Sequence, residues 1–170
     1  MSALRRVGPV GAAMTVHERP VGATVEWYTP RSLFDALDVR FDLDPAAAPE
    51  WVGHYVPANC MYPKYEDGLS RDWKGHVWLN PPYGRDGVRF IDRMIAHGDG
   101  LMLLPSRTET AAYQRALAGA TAVCFLRDRL WFIRDDGATG RSSFGSTLFA
   151  FGPWAVETLR RADLGWTVGA

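Results

Sequence analysis

The chain has 170 residues, 47% hydrophobic and 22% charged, which suits one globular domain with a real core. No apolar run approaches the roughly 18 residues of a membrane helix, so no membrane span is expected. The formal net charge is zero, which sets aside a globally basic chain, although a neutral whole can still carry a basic face. Cys60 and Cys124 sit far apart in different contexts, so a structural disulfide is not expected. His17, His54, His76 and His97 lack metal-ligand spacing, and no metal site is expected.

Met1 to Val25 opens with the pair Arg5-Arg6, followed by glycines, alanines and Arg19, without the apolar centre of a signal peptide. It reads as a disordered leader (1–25) ahead of a single domain (26–170), with Met14 as an alternative start. Thr29-Pro30 opens a helix, Thr as cap and Pro as first helical residue, with Leu33, Phe34 and Leu37 on its apolar face. Val39 to Leu43 alternates as a strand that ends at Asp44-Pro45. This puts Asp44 at a carboxyl strand end, where ligands bind in open α/β sheets. Ala46 to Gly75 is poorly periodic, and a structureless run of that length is uncommon, so a short strand is expected at 51–56 or 59–62.

His76 to Leu79 is a buried strand, followed by a helix with Val88, Ile91 and Ile95 on one face and Gly98 at its end. Leu101 to Leu104 is a second buried strand, stopping at Pro105. Thr108 or Thr110 caps a helix to about Ala118, ended by Gly119, and Thr121 to Leu126 is a strand. Leu130–Ile133 and Ser146–Phe151 are strands joined by the Gly-rich loop 135–145, and Pro153 starts a last helix to about Ala162. The alternation predicts an α/β fold, mostly parallel in its sheet, with an antiparallel hairpin at one edge.

The most informative residues are Asn80-Pro81-Pro82-Tyr83, at the end of the buried strand. Two prolines remove two backbone donors and fix two φ angles, so the chain cannot continue in a ladder. The result is a rigid elbow rich in acceptors, with the Tyr83 ring as a flat wall: a receptor for a planar group bearing an NH₂, such as the exocyclic amine of adenine. The plain alternative is a turn.

The ordered set Trp27-Tyr28-Thr29-Pro30, Asp42-Leu43-Asp44-Pro45-Ala46-Ala47, Asp67-Gly68-Leu69, Trp73-Lys74-Gly75 and Asn80 to Tyr83 resembles the amino-methyltransferases that use S-adenosylmethionine. Within them it is most similar to the phage-type DNA N-6-adenine methyltransferases. The resemblance runs from about Glu26 to Pro153. It implies an abbreviated Rossmann-like methyltransferase fold, S-adenosylmethionine as cofactor, and DNA with a flipped adenine as substrate. It further implies a site-specific, adenine-specific enzyme of a phage or prophage, related to restriction-modification and working in the cytoplasm of a bacterial host.

By the same resemblance, Asn80 and the Pro81 carbonyl accept the two amine hydrogens and draw the amine toward a pyramidal, nucleophilic form. Pro82 completes the elbow, and Tyr83 stacks on the base. Thr29, Pro30, Asp44, Pro45 and Ala46 match the positions lining the methionine part of the cofactor, with Asp44 accepting from its ammonium. Alanines stand here in place of a Gly-rich turn. Asp67 matches the residue that receives the cofactor's adenine amine, although Asp-Gly is also a common turn. Glu50 or Glu66 is the candidate for the ribose hydroxyls.

Arg127, Arg129, Arg134 and Arg141 cluster in sequence, with Arg85, Arg89 and Arg93 after the elbow, as a basic face or as ordinary solvated arginines. Arg107, Arg129 and Phe144 are the candidate DNA contacts. Trp131, Phe132 and Phe144 supply the second face of a base sandwich unless they are core. The competing readings are an inactive or regulatory nucleotide-binding module, a cytosine N-4 methyltransferase and a protein glutamine methyltransferase. No sizeable target-recognition segment is evident, so specificity either falls to short loops such as 84–87 or 135–145 or is relaxed.

Overall fold

A run of apolar residues without polar alternation is stable as a strand only if both faces of its sheet are covered. The computed structural model, which describes residues 27–53, 55–82, 84–134 and 136–169, has this arrangement. Its seven-stranded sheet has the order β10-β6-β9-β5-β4-β2-β3, from β2 (Phe41–Ala47), β3 (Ala58–Pro63), β4 (Val77–Leu79), β5 (Gly100–Pro105), β6 (Ala122–Leu126), β9 (Ser146–Phe151) and β10 (Gly165–Gly169). Strands β9 and β10 run opposite to the other five, so the sheet is mostly parallel.

Side-chain direction alternates along each central strand and sorts the core into two layers. Trp78, Leu101, Leu103, Leu148 and Ala150 face the layer built on α1 (Arg31–Leu37) and α4 (Gly152–Ala162). Val77, Leu79, Met102, Leu104, Phe149 and Phe151 face α2 (Arg85–His97) and α3 (Ala111–Gly119). Trp78 anchors the first layer, with its ring centroid 4.8 Å from that of Phe34 and 5.5 Å from that of Phe41. A second, three-stranded antiparallel sheet has the order β1-β7-β8, from β1 (Trp27–Tyr28), β7 (Trp131–Arg134) and β8 (Thr139–Arg141).

The expected helices and the strands β4, β5, β6 and β9 are present, with ends shifted by a residue or two. Of the two sites offered for a strand in the aperiodic stretch, the second is occupied, by β3. Four features differ. The expected edge hairpin does not form: Leu130–Ile133 goes to the small sheet, while Ser146–Phe151 is inserted between β5 and β6. Ser146–Phe151 is buried at every position, so an edge would leave it half uncovered. The edge is taken instead by β10, a short strand absent from the expected elements. Strand β2 runs on through Asp44 and Pro45 to Ala47, with a register shift between Asp44 and Ala47. The first helix begins one residue late: Pro30 is its N-cap and the Thr29 side chain does not cap it. The expected leader lies outside the described residues.

Among the described residues no helix is long and apolar enough to cross a membrane, and no cluster of three His, Cys, Asp or Glu is placed to hold a metal. Cys60 and Cys124 are free thiols.

Because Trp78 fills the centre of one core layer, Trp78→Ala leaves a cavity that its aromatic neighbours cannot close. The expected loss is about 3–5 kcal/mol of folding stability, read as a lower urea midpoint at unchanged m-value. A loss under about 1 kcal/mol would show that this layer repacks freely.

Candidate active site

Strand β4 delivers Asn80 to the carboxyl edge of the sheet, and Pro81 and Pro82 offer no N–H there. The Asn80 Nδ2 donates to the main-chain carbonyl of Trp27 at 2.8 Å. A carbonyl can only accept, so this bond orients the amide and reserves Oδ1 as an acceptor. Asn80, Pro81 and Pro82 line a cavity of about 440 Å³, within the ~300–1,000 Å³ of small-molecule sites. Its other walls come from β1 (Trp27, Tyr28), the end of β2 (Pro45 to Ala47), Lys64, the loop Asp67 to Leu69, and the first turns of α2 (Asp86, Arg89, Phe90). From β2 the chain goes to β3 on one side, and from β4 to β5 on the other. The cavity therefore lies where connections diverge at the carboxyl ends of parallel strands, the ligand position favoured by this architecture. Tyr83 lies outside the described residues.

Asp44 and Thr29 line a smaller adjoining cavity of about 20 Å³, which shares Tyr28, Ala46 and Asn80 with the large one. Space of that size holds one water-sized group. The Asp44 carboxyl is 2% exposed, and burial pushes its pKa up to about 7, against the lowering effect of a hydrogen bond from the Ala46 N–H at 3.1 Å. The Thr29 Oγ1 is buried with no hydrogen-bond partner among the described residues. A buried carboxyl and an orphaned hydroxyl beside a one-group cavity suit a small cationic donor such as an ammonium. These residues therefore fit the methionine end of S-adenosylmethionine. Pro45 and Ala46 line the large cavity, whereas Pro30 is buried at the start of α1 and lines neither.

The Asp67 loop is built as a turn and also faces the cavity. Its Oδ1 accepts from the Leu69 N–H at 3.3 Å, and the residue adopts φ 45°, left-handed backbone that Asp tolerates. Gly68 is required by close packing: a Cβ there would land on the Pro45 carbonyl oxygen. The loop is tied from behind by the Trp73 indole N–H to the Gly68 carbonyl at 2.8 Å. Arg93 donates to the carbonyls of Leu69 at 3.1 Å and Arg71 at 2.6 Å, and lies over the Trp73 ring. Asp67 thus serves as a turn residue and as a cavity wall.

Other expectations are redistributed. Neither Glu50 nor Glu66 lines the cavity: Glu50 accepts from the Tyr65 hydroxyl, and Glu66 faces Arg71. The acidic side chain on the wall besides Asp67 is Asp86, brought in by the first turn of α2, 3.5 Å from Arg89. Phe132 is core, 8% exposed and edge-on to Trp27, while Trp131 is exposed. Arg107 and Phe144 do meet, the guanidinium 5.3 Å above the ring, on loops joined by the Ser106 N–H to the Gly145 carbonyl. Neither of them, nor the exposed Arg129, lines the cavity. The expected basic face is partly spent on ion pairs, Arg127 with Asp163 and Arg134 with Asp136, and Arg93 serves the Asp67 loop. Sequence reasoning gave no site role to Tyr28, Lys64 and Phe90: Tyr28 stood in the Trp27 to Pro30 segment of the resemblance and Phe90 near the elbow, whereas the approach of Lys64 depends on chain crossings no local pattern encodes.

The buried Asp44 carboxyl makes stability pH-dependent. In the folded chain it holds its proton up to about pH 7, against an ordinary pKa of 3.8, so the folded state carries one more proton between those values. Its contribution is present below the lower value and is lost as pH rises through the upper one, by up to about 1.4 kcal/mol per pH unit. Asp44→Asn should flatten this part of the stability profile in urea titrations from pH 4 to 8. An unchanged slope would mean that Asp44 is ionised in the folded chain across that range.

The family model for DNA N-6-adenine-methyltransferase (Dam) matches residues 18–160. A DNA N-6-adenine-methyltransferase of Escherichia phage T1 is 32% identical over 108 residues, covering 59% of this chain and 44% of the relative, so the chain spans less than half of that relative's length. No solved structure matches the chain. With most of its length matched by one family model, the chain belongs to the DNA N-6-adenine-methyltransferase (Dam) family.

Proposed function

We propose that this chain transfers a methyl group from S-adenosylmethionine to the N-6 amine of adenine at specific sites in DNA, on an abbreviated Rossmann-like methyltransferase fold. Phage or prophage origin is supported by the phage T1 relative; action in the bacterial cytoplasm and a place in restriction-modification belong to the same reading. The observation that carries the reaction is the Asn80 amide: its N–H is engaged by Trp27 and its Oδ1 is kept as an acceptor, on the wall of a cavity at the strand ends.

The sulfonium of S-adenosylmethionine supplies an activated methyl, so the chain has little acid–base work to do. Its task is to hold the amine in line and favour the form whose lone pair is free of the ring. Asn80 Oδ1 and the Pro81 carbonyl take the two amine hydrogens, and Pro82 keeps the elbow stiff. Tyr83 stacks on the extruded adenine, which is reached by flipping from the duplex. Asp44 and Thr29 receive the cofactor's ammonium, and Pro45 and Ala46 lie along its amino-acid part. Asp67 takes the adenine amine of the cofactor, and Asp86, the other acidic side chain on the cavity wall, is the acidic partner for the ribose. Arg107, Arg129 and Phe144 lie outside the cavity and contact the DNA around the extruded base.

The deciding experiment is transfer of tritiated methyl to unmethylated DNA, followed by nucleoside analysis. Label in N-6-methyl-2′-deoxyadenosine is expected; label in cytosine, or binding without transfer, would overturn the reading. Asn80→Ala should slow transfer by ~10²–10³ while cofactor affinity stays within a few fold, and turnover within tenfold of wild type would remove Asn80 from the chemistry.

Cofactor affinity has its own pH signature. An ammonium favours ionised Asp44, so affinity should fall as pH drops below about 7, approaching tenfold per unit. Calorimetry should find that fall absent in Asp44→Asn, and a wild-type affinity flat from pH 5.5 to 8 would place the ammonium elsewhere.

A further inference from the structure

We infer that the small sheet β1-β7-β8 is the positioning device for Asn80, acting through the main-chain carbonyl of Trp27. The inference rests on the reading of Asn80 as the amine's acceptor. An asparagine amide presents oxygen or nitrogen with nearly equal ease, and only the oxygen can accept a hydrogen from an amine. A half-buried amide facing a cavity therefore needs something to choose its orientation. The Trp27 carbonyl makes that choice, at 2.8 Å from Nδ2.

The carbonyl is itself held in place. Strand β1 has two residues, and both pair with β7, Trp27 with Arg134 and Tyr28 with Ile133. The Trp27 indole meets Phe132 edge-on at 6.5 Å, and the Arg134 guanidinium lies 6.0 Å from its centroid. Beneath the ring, β8 contributes Gly140, where an added Cβ would stand 2.6 Å from Cζ3 and Cη2 of the indole. Gly140 is thus the seat of the indole, and it lines no part of the cavity. The chain from Gly140 through Trp27 to Asn80 links a position outside the site to the orientation of the acceptor. Trp27 and Gly140 are positioning residues and touch none of the reacting atoms through this link.

Asn80→Asp tests the link through chemistry. An ionised Asp offers two acceptors to a site where the Trp27 carbonyl is already an acceptor, and the two repel. A protonated Asp donates to that carbonyl and keeps its other oxygen for the amine. The rate of Asn80→Asp relative to wild type should therefore be highest near pH 5.5 and fall toward pH 8, approaching tenfold per unit above the acid's pKa. If the oxygen acted only as an acceptor, ionisation would help or do nothing, and the ratio would rise or stay flat. Single-turnover methyl transfer with the full chain, at saturating cofactor and DNA, gives this ratio.

A second pair of variants approaches from the other end. Gly140→Ala should push the indole and lower kcat by ~10²-fold, the cost of misplacing a catalytic group by about 1 Å. Adding Trp27→Phe, whose ring lacks the crowded atoms, should restore much of that loss, with melting temperatures taken in parallel. A flat or rising Asn80→Asp ratio, or wild-type kcat in a folded Gly140→Ala, overturns the inference even if Asn80→Ala is inactive. Full transfer by Asn80→Ala would instead overturn the acceptor reading, and the positioning role with it.

Discussion

The site depends on strand β4 being short and fully buried. Val77 and Leu79 enter one core layer and Trp78 the other, and all three are at most 1% exposed. A strand sealed on both faces cannot slip by one residue without driving Trp78 into the wrong layer. Its register therefore sets where Asn80 emerges, and two prolines make that point the end of the ladder. With β2 bonded along one side and β5 along the other, the elbow opens where the connections part. The position of the cavity follows from these constraints, and the Asp67 to Leu69 loop closes one of its walls.

A buried, underpaired polar group costs stability, and such groups are usually avoided. Asp44 and Thr29 break that rule together, in one small cavity. The nearby Asp42 carboxylate shows the ordinary solution: it takes the His76 N–H at 2.8 Å and the Asn59 amide at 3.3 Å, at the surface. The contrast between two aspartates two residues apart separates a surface carboxylate with two donors from a buried one with a single backbone donor, the one that the proposed function assigns to a ligand. It also explains the continuation of β2: paired with β3 up to Ala47, the strand carries Asp44 below the surface, where a strand ending at Asp44 would have left it in water.

What was legible in the sequence was local. Helices α2 and α3 follow from apolar spacing with a glycine at the end, and α3 from its Thr110 cap, whose side chain accepts from the Tyr113 N–H. The elbow was legible because two adjacent prolines have few structural uses. Strand order was not, because Ser146–Phe151 reads the same whether it lies at an edge or between two neighbours, and only its uniform burial decides. Two of the smallest strands were illegible: β1 has two residues and β8 three, too few for any period, and their existence depends on pairing with β7, whereas β4, also of three residues, read from its apolar run and the prolines after it. The segment after β3, from Asp67 to Gly75, failed to read for a different reason. It is held by single contacts, Trp73 to Gly68 and Arg93 to Leu69 and Arg71, which leave no repeating pattern.

Those contacts bear on how a chain with no net charge would meet DNA under the proposed function. Counting arginines overstates the charge available to phosphates, since Arg93 is committed to carbonyls, Arg115 to Asp92 at 2.8 Å, and Arg127 and Arg134 to carboxylates. Exposed ion pairs of this kind are weak, about 0–1 kcal/mol each, and a phosphate can displace the carboxylate from its arginine. The Arg93 interaction is different, because the guanidinium also covers the Trp73 ring and its loss would release the Asp67 loop. Arginines near the elbow therefore divide by what holds them: those paired with surface carboxylates are exchangeable, and those bonded to main-chain carbonyls build the site. By that criterion Arg107, paired with Glu109 and lying over Phe144 at the carboxyl end of β5, belongs to the exchangeable class, on the edge of the sheet where Asn80 emerges.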